Sequence, residues 1–192
     1  MSELLFIAGS ARKDSVNKKL AQSACEIAKN LGADAAFIDL ANYEMPLYNQ
    51  DIEENDGLPK AAQDLKQLFI KSDGVCFACP EYNGSITPLL KNTIDWLSRK
   101  ETESEQPLTA FKEKVGCLLA ASPGKLGGIR GLHDVRSILS GIGMHMIANQ
   151  LGVSDAYNKF NDNGHLCDDG IKTALRGVIE TFVSHADKLG QK

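Results

Sequence analysis

The 192-residue sequence has no long hydrophobic run, no low-complexity tract and no excess of positive charge. Its apolar segments are shorter than the roughly 20 residues of a membrane-spanning helix, and an acid, Glu3, stands where a signal peptide would carry cations. We therefore expect a cytoplasmic protein without a membrane span. A formal net charge of −4 and the lack of a basic stripe argue against nucleic-acid binding, which depends on cations that displace counterions.

A disulfide framework and a metal site are missing as well. The five cysteines are an odd number without regular spacing, which is consistent with a reducing compartment. The four histidines lack metal-ligand spacing, so no metal site is predicted. Cys76 and Cys79 have the spacing of a redox motif. However, they fall at the end of a predicted strand, where the two thiols should point to opposite faces and remain inert.

Short apolar runs alternate with helical patterns along the chain. Strands are predicted near 4–8, 35–40, 74–78, 115–121 and 144–147, with helices between them and after the last, and with polar loops over 42–58, 100–113 and 156–169. Such alternation implies right-handed crossovers and a parallel sheet that is covered on both faces. The fold class is therefore α/β and doubly wound. No repeat or second domain is visible, which predicts a single domain over 1–192.

Three loops follow strands and are rich in Gly, Ser, Asn or Pro: 9–17, 79–87 and 122–128. In an open parallel sheet, ligands bind beyond the carboxyl ends of the strands, so these loops should form one site. The third loop contains Gly127 and Gly128. We expect these glycines to let the loop backbone come close to a flat ligand.

Loop 9–17 combines short hydrogen-bonding side chains with one guanidinium, that of Arg12, and leads into a helix N-terminus. Free backbone N–H groups and the helix dipole favour a phosphate there. The alternative is that Ser15 merely caps the helix. The loop lacks the Gly-Lys-Ser/Thr ending of a Walker A motif. It also lacks the Gly-x-Gly-x-x-Gly fingerprint, so an NAD-type Rossmann dehydrogenase is not favoured.

Loop 79–87 places an aromatic, an amide and a glycine at the end of the third strand. These groups could lie along the edge of a planar heterocycle. The alternative is an ordinary type I or II turn at Asn83-Gly84.

Two motifs make the chain resemble the NADPH-dependent FMN reductase family of flavodoxin-like proteins, which includes azoreductases, quinone reductases and chromate-reducing enzymes. Residues 9–17, GSARKDSVN, are similar to the family's G-S-x-R-x-x-S-x-N phosphate loop. Residues 80–85, PEYNGS, continuing through 90–96, LKNTIDW, are similar to its P-E-Y-N-x-S…L-K-N-A-I-D-W segment. Thr93 replaces the family's alanine. The resemblance runs from about residue 3 to the fifth strand.

The resemblance implies a flavodoxin-like five-stranded sheet of order 2-1-3-4-5, with FMN across the three loops. The implied phosphate residues are Ser10, Arg12, Ser15, Val16 and Asn17. Those implied beside the isoalloxazine are Pro80, Glu81, Tyr82, Asn83, Gly84 and Ser85 on one side, with Ser122 and Gly124 bordering the ring from the other. No side chain is predicted as a catalytic acid or base, because the flavin carries the chemistry and the protein orients it. Glu81 is expected to fix its loop, since a carboxylate beside a reduced, anionic flavin would be repelled.

The activity implied is transfer of hydride from NAD(P)H through FMN to a small acceptor: a quinone, an azo compound, a flavin or chromate. A homodimer or homotetramer is implied too. Two alternatives stay open at this stage, a non-enzymatic flavodoxin-like electron carrier and a flavin-dependent regulatory protein. Such carriers are usually far more acidic and have a Thr-rich phosphate loop, which this chain lacks.

Overall fold

The computed structural model describes residues 1–190, and within them strands and helices alternate in chain order. The strands are β1 (Glu3–Ala8), β2 (Asp34–Ile38), β3 (Gly74–Ala78), β4 (Val115–Ala121) and β5 (His145–Val153). The helices are α1 (Val16–Asn30), α2 (Gln50–Asp56), α3 (Lys60–Lys71), α4 (Pro88–Leu97), α5 (Ile129–Gly141) and α6 (Asp169–Leu189).

The five strands form a parallel sheet in the order β2-β1-β3-β4-β5, which confirms the predicted topology. Strands β3 and β4 are buried along their whole length, as continuous apolar runs in a sheet covered on both faces should be. The predicted bounds of these two strands agree with the structure. The order reverses between β1 and β3, the point at which such sheets bind ligands.

Helices cover both faces of the sheet and create two cores. Alternate residues of β1 divide between them: Leu4 and Phe6 pack with α1 and α6, whereas Leu5 and Ile7 pack with α3, α4 and α5. The same alternation separates the thiols of the apparent redox motif. Cys76 belongs to the first core and Cys79 to the second, as predicted.

The segment 42–58, predicted as a loop, contains a helix, so that prediction is wrong in part. Asn49 begins α2 by accepting a hydrogen bond from the Asp51 N–H at 2.9 Å, and acidic side chains follow in the first turn. No residue of α2 is buried. The helix therefore lacks the apolar stripe on which periodicity depends.

Strand β5 is longer than predicted and continues through polar residues to Val153. It lies at the edge of the sheet and is only partly buried, so its sequence is not a continuous apolar run. At the other edge, β2 ends at Ile38, before the predicted end at 40, because Asp39 begins a 3-10 turn by accepting a bond from the Ala41 N–H at 3.0 Å.

The start of α4 follows the sequence prediction. The Thr87 hydroxyl accepts from the Leu90 N–H at 3.3 Å, and Pro88 occupies the first helical position, where its missing N–H costs nothing. The single domain over 1–192 stays a prediction, and residues 191–192 lie outside the described part of the chain. Within 1–190, no helix has both the length and the apolarity needed to cross a membrane.

Candidate cofactor site

A small cavity of about 160 Å³ opens where the loops after β1, β3 and β4 meet. Its lining residues are Ser10, Arg12, Ser15, Val16, Asn17, Pro80, Glu81, Tyr82, Ala121, Ser122, Pro123 and Tyr157. All the residues predicted for phosphate thus line one cavity, together with the first part of loop 79–87 and Ser122. Asn83, Gly84, Ser85 and Gly124 do not line it.

Unbonded polar groups gather at the N-terminus of α1. The N–H groups of Val16 and Asn17 have no acceptor within residues 1–190. Ser15 occupies the N-cap position and is buried, yet its hydroxyl makes no capping bond. Ser15 thus has the N-cap position that the alternative gave it, but its side chain does not make the bond that an ordinary cap makes. Free amides at the positive end of a helix dipole suit an anion.

The guanidinium of Arg12 adds a cation to this end of the cavity. Arg12 is exposed and has no ion-pair partner in the part of the chain that the structure describes. The nearby Lys18 is different, because its buried ammonium pairs with Asp39 at 2.8 Å and donates to the Ala11 carbonyl at 3.4 Å. Lys18 thus holds the loop in place, while Arg12 keeps its charge available for a ligand.

The side chain of Asn17 has a structural task. Its amide nitrogen donates to the Ala121 carbonyl at 2.8 Å, and its oxygen accepts from the Ala121 N–H at 2.9 Å. These bonds join the first turn of α1 to the end of β4. The side chain is consequently unavailable to an anion, and only the backbone N–H of Asn17 remains free.

Residues 82–85 form a tight hairpin. Tyr82 and Ser85 exchange two backbone hydrogen bonds, each of 3.0 Å. The central residues, Asn83 and Gly84, have φ of 52° and 84°. Positive φ at both positions defines a type I′ turn, which strongly favours Asn-Gly. The type I or II turn considered from the sequence is therefore wrong.

Two side chains, those of Glu81 and Ser85, attach this hairpin to α5. The Glu81 carboxylate pairs with Arg130 and accepts from the Gly131 N–H at 3.3 Å. The hydroxyl of Ser85 donates to Asp134 at 2.5 Å. Hydrogen bonding to Arg130 is the largest cause that lowers the pKa of Glu81 below its ordinary value, so this carboxyl stays ionised. It anchors a loop and is a poor proton donor.

The glycine-rich loop after β4 packs closely against the backbone at the end of β5. A Cβ on Gly127 would lie 2.8 Å from the backbone of Gly152 and 2.9 Å from that of Ser154. Gly127 is therefore needed for contact with the end of β5, whereas the sequence suggested a flat ligand. Earlier in the loop, the Gly124 N–H donates to the Ser122 hydroxyl at 3.2 Å.

Sequence reasoning missed two contributors, Tyr157 and Arg130. Tyr157 follows β5 and lines the cavity, but it belongs to no recognised motif. Arg130 lies just beyond the loop after β4 and pairs with Glu81. In the sequence, its charge is the one feature that could have suggested this pairing. Within residues 1–190, no cluster of three or more His, Cys, Asp or Glu side chains could hold a metal ion.

A larger cavity of about 650 Å³, lined by Leu40, Met45 and Leu89 among others, also reaches Ala11. One of its polar side chains, Asn92, accepts a hydrogen bond from the Tyr48 N–H and donates one to the Pro46 carbonyl. Within residues 1–190, no arginine or lysine lines this cavity, whereas Arg12 lines the smaller one.

Comparison with known proteins agrees with the motifs and the fold. Residues 2–158 match the family model described as NADPH-dependent FMN reductase. An NAD(P)H-dependent FMN reductase of Pseudomonas aeruginosa is 34% identical over 182 residues, covering 94% of this chain and 92% of that protein. An NAD(P)H:quinone oxidoreductase of Solanum tuberosum is 32% identical over 191 residues, covering 97% and 93%.

Among solved structures, a flavoenzyme NAD(P)H:(acceptor) oxidoreductase from Paracoccus denitrificans superposes with a TM-score of 0.83, at 26% identity and with 98% of each chain covered. The fold and the sequence comparisons thus agree along nearly the whole chain. This chain belongs to the NADPH-dependent FMN reductase family.

Proposed function

We propose that this protein is an FMN-dependent NAD(P)H oxidoreductase that passes reducing equivalents to quinones, with its cofactor phosphate held at the N-terminus of α1. One observation carries the assignment of the site. Three residues line the same cavity at the switch point of the sheet: Arg12, whose guanidinium has no ion-pair partner within residues 1–190, and Val16 and Asn17, whose backbone N–H groups have no acceptor there.

The residues at this end of the cavity fit a phosphate monoester. Ser10 and Ser15 are buried residues of the lining, and the Ser15 hydroxyl has no hydrogen-bond partner within residues 1–190. A phosphate accepts hydrogen bonds through several oxygens, so it would use hydroxyls, amides and the Arg12 cation together. Asn17 would contribute its N–H alone, because its side chain is bonded to Ala121.

Loop 79–87, with Ser122 and Gly124 opposite, fits the position of the ring. The N–H groups of Asn83 and Gly84 have no acceptor within residues 1–190, so they can donate to a ring edge that carries negative charge. Glu81 and Ser85 hold the hairpin against α5, which fixes the direction of these amides. When bound, FMN supplies the hydride chemistry between nicotinamide and acceptor.

None of these side chains is assigned as a general acid or base. Among the described residues, Glu81 is the only one in the cavity lining that has a carboxylate side chain, and its pairing with Arg130 keeps it ionised. The protein residues therefore bind and orient, and their donors stabilise negative charge. Quinones are favoured as acceptors because several relatives are named as quinone reductases.

We further propose a cytoplasmic location and a homodimer or homotetramer. The buried free thiols of Cys25, Cys76 and Cys117 suit a reducing compartment. Exposed apolar side chains near the site, Leu126 at 57% and Ile129 at 38%, suit contact with a second copy. Light scattering of the FMN-loaded protein would test the assembly, and a monomer would contradict it.

Steady-state turnover with NADPH or NADH and a benzoquinone tests the activity. We expect nucleotide oxidation that requires both FMN and quinone, together with rapid anaerobic bleaching of the yellow protein by at least one nucleotide. If neither nucleotide reduces the bound flavin faster than free FMN, the oxidoreductase proposal is wrong and the electron-carrier alternative is favoured.

A further inference from the structure

The segment after β5 forms a turn that contributes to the cavity. Ala156–Asn158 is a 3-10 turn, and Asp155 before it has φ of 50°. The Ala156 N–H donates to the Ser122 carbonyl at 3.1 Å, and the Ala156 side chain is fully buried. Phe160 is also buried, so the turn is anchored at both ends.

Tyr157 lies between these buried anchors, yet it is 59% exposed and lines the cavity. The cavity has two kinds of wall. Ser10, Arg12 and Ser15 are polar residues of the lining, whereas Pro80, Tyr82, Pro123 and Tyr157 are lining residues that carry rings. Tyr82 is similarly exposed, at 57%. Two exposed aromatic residues on separate loops thus border one small cavity.

We infer that Tyr157 is a further cofactor-binding residue, whose ring covers the phosphate end of bound FMN. The inference rests on the proposed function. A ring over this end would exclude water from the contacts that Arg12 and the α1 amides make. Because charge-assisted bonds are stronger where water is excluded, the cover would tighten binding and reduce its sensitivity to salt. The 155–160 segment would then be a fourth segment of the site, beside the loops that follow β1, β3 and β4.

The test compares Tyr157→Ala and Tyr157→Phe by titrating the apoprotein with FMN and following the quenching of flavin fluorescence. We expect the Kd for FMN to rise roughly tenfold for Tyr157→Ala. For Tyr157→Phe it should stay within about twofold of the wild-type value, because the aromatic ring, not the hydroxyl, covers the phosphate. The Kd of Tyr157→Ala should also rise more steeply with salt than that of the wild type.

Asn158→Ala is the matched control. Asn158 belongs to the same turn but bonds to Asp155 at 2.9 Å and does not line the cavity. We expect wild-type affinity for this variant. An equal loss in Asn158→Ala would mean that the turn matters and the ring does not. A loss in Tyr157→Phe as large as in Tyr157→Ala would also overturn the inference.

Failure of the inference can be distinguished from failure of the proposed function. If the wild type binds FMN and Tyr157→Ala binds it equally well, only the role of Tyr157 is wrong. If the wild type does not bind FMN, the proposed function itself is wrong.

Discussion

Asn17 and Ala121 are 104 positions apart in sequence, yet the side-chain amide of one makes two buried hydrogen bonds with the backbone of the other. The pair joins the start of α1 to the end of β4. Two of the three loops of the candidate site are thereby held at a fixed separation. The asparagine of the phosphate-loop motif therefore shapes the candidate site, while its side chain is occupied by Ala121.

Replacing Asn17 with Ala should destabilise the whole domain. The substitution leaves the N–H and carbonyl of Ala121 buried without partners, and each such group costs about 1–3 kcal/mol. We expect the free energy of unfolding to fall by roughly 2–4 kcal/mol in urea denaturation. Asn30→Ala, at the exposed end of α1, is the control and should change stability little. Equal stability of the two variants would contradict the role of the Asn17–Ala121 pair.

Replacing Arg12 with Ala should weaken binding of FMN but not of riboflavin. A hydrogen bond to a charged group contributes about 1.5–3 kcal/mol, so the Kd for FMN should rise roughly ten- to hundredfold. Riboflavin lacks the phosphate and should bind both proteins alike. Lys13→Ala removes the neighbouring exposed cation, which does not line the cavity, and should bind FMN as the wild type does. A similar loss of FMN affinity in Arg12→Ala and Lys13→Ala would mean that the overall positive charge matters and would contradict a direct bond from Arg12 to the phosphate.

Acid should abolish the contribution of Glu81 to stability. Pairing with Arg130 lowers the pKa of Glu81 in the folded state, so its stabilisation is present above its ordinary pKa of 4.5. It is lost as the pH falls through the lowered value. We expect Glu81→Gln to cost about 1 kcal/mol or less at pH 7, since Arg130 is 62% exposed, and to cost progressively less below pH 4.5.

Unfolding curves from pH 7 to pH 3 measure this difference. Glu180→Gln, which breaks an exposed pair with Arg176 on α6, serves as the control and should show almost no effect. A cost for Glu81→Gln that is the same at every pH would contradict the ion-pair explanation.

Thiol labelling of the native protein should detect one fast-reacting cysteine. Cys167 is exposed, whereas the other four are buried. Burial also raises the pKa of Cys25, Cys76 and Cys79, which suppresses the reactive thiolate. Cys167→Ser should remove the fast phase, and denaturant should expose the remaining thiols. Rapid labelling of Cys76 or Cys79 in the native state would reopen a redox role for that pair.

Much of the fold could be predicted because buried strands have simple sequence signatures. Strands β3 and β4 are apolar throughout, and Thr87-Pro88 marks the start of α4 through cap chemistry. Edge strand β5 and helix α2 were harder, because neither presents a continuous buried surface. Both elements are at least partly exposed to solvent, so polar residues interrupt the apolar periodicity on which their prediction would depend.

The site was predictable as a set of loops but not in its detailed bonding. The motif includes Asn17 and Ser15, but only the tertiary structure shows that the Asn17 side chain is bonded to Ala121 and that the Ser15 hydroxyl has no partner within residues 1–190. Tyr157 reaches the cavity through the packing of a turn against Ser122, and no local pattern encodes that contact.

A crystal structure of the protein grown with FMN tests the central claim most directly. We predict phosphate density within hydrogen-bonding distance of Arg12, the Ser15 hydroxyl and the N–H groups of Val16 and Asn17. Phosphate density elsewhere, for example in the larger cavity beside Leu40, with the end of α1 left unbound, would contradict it.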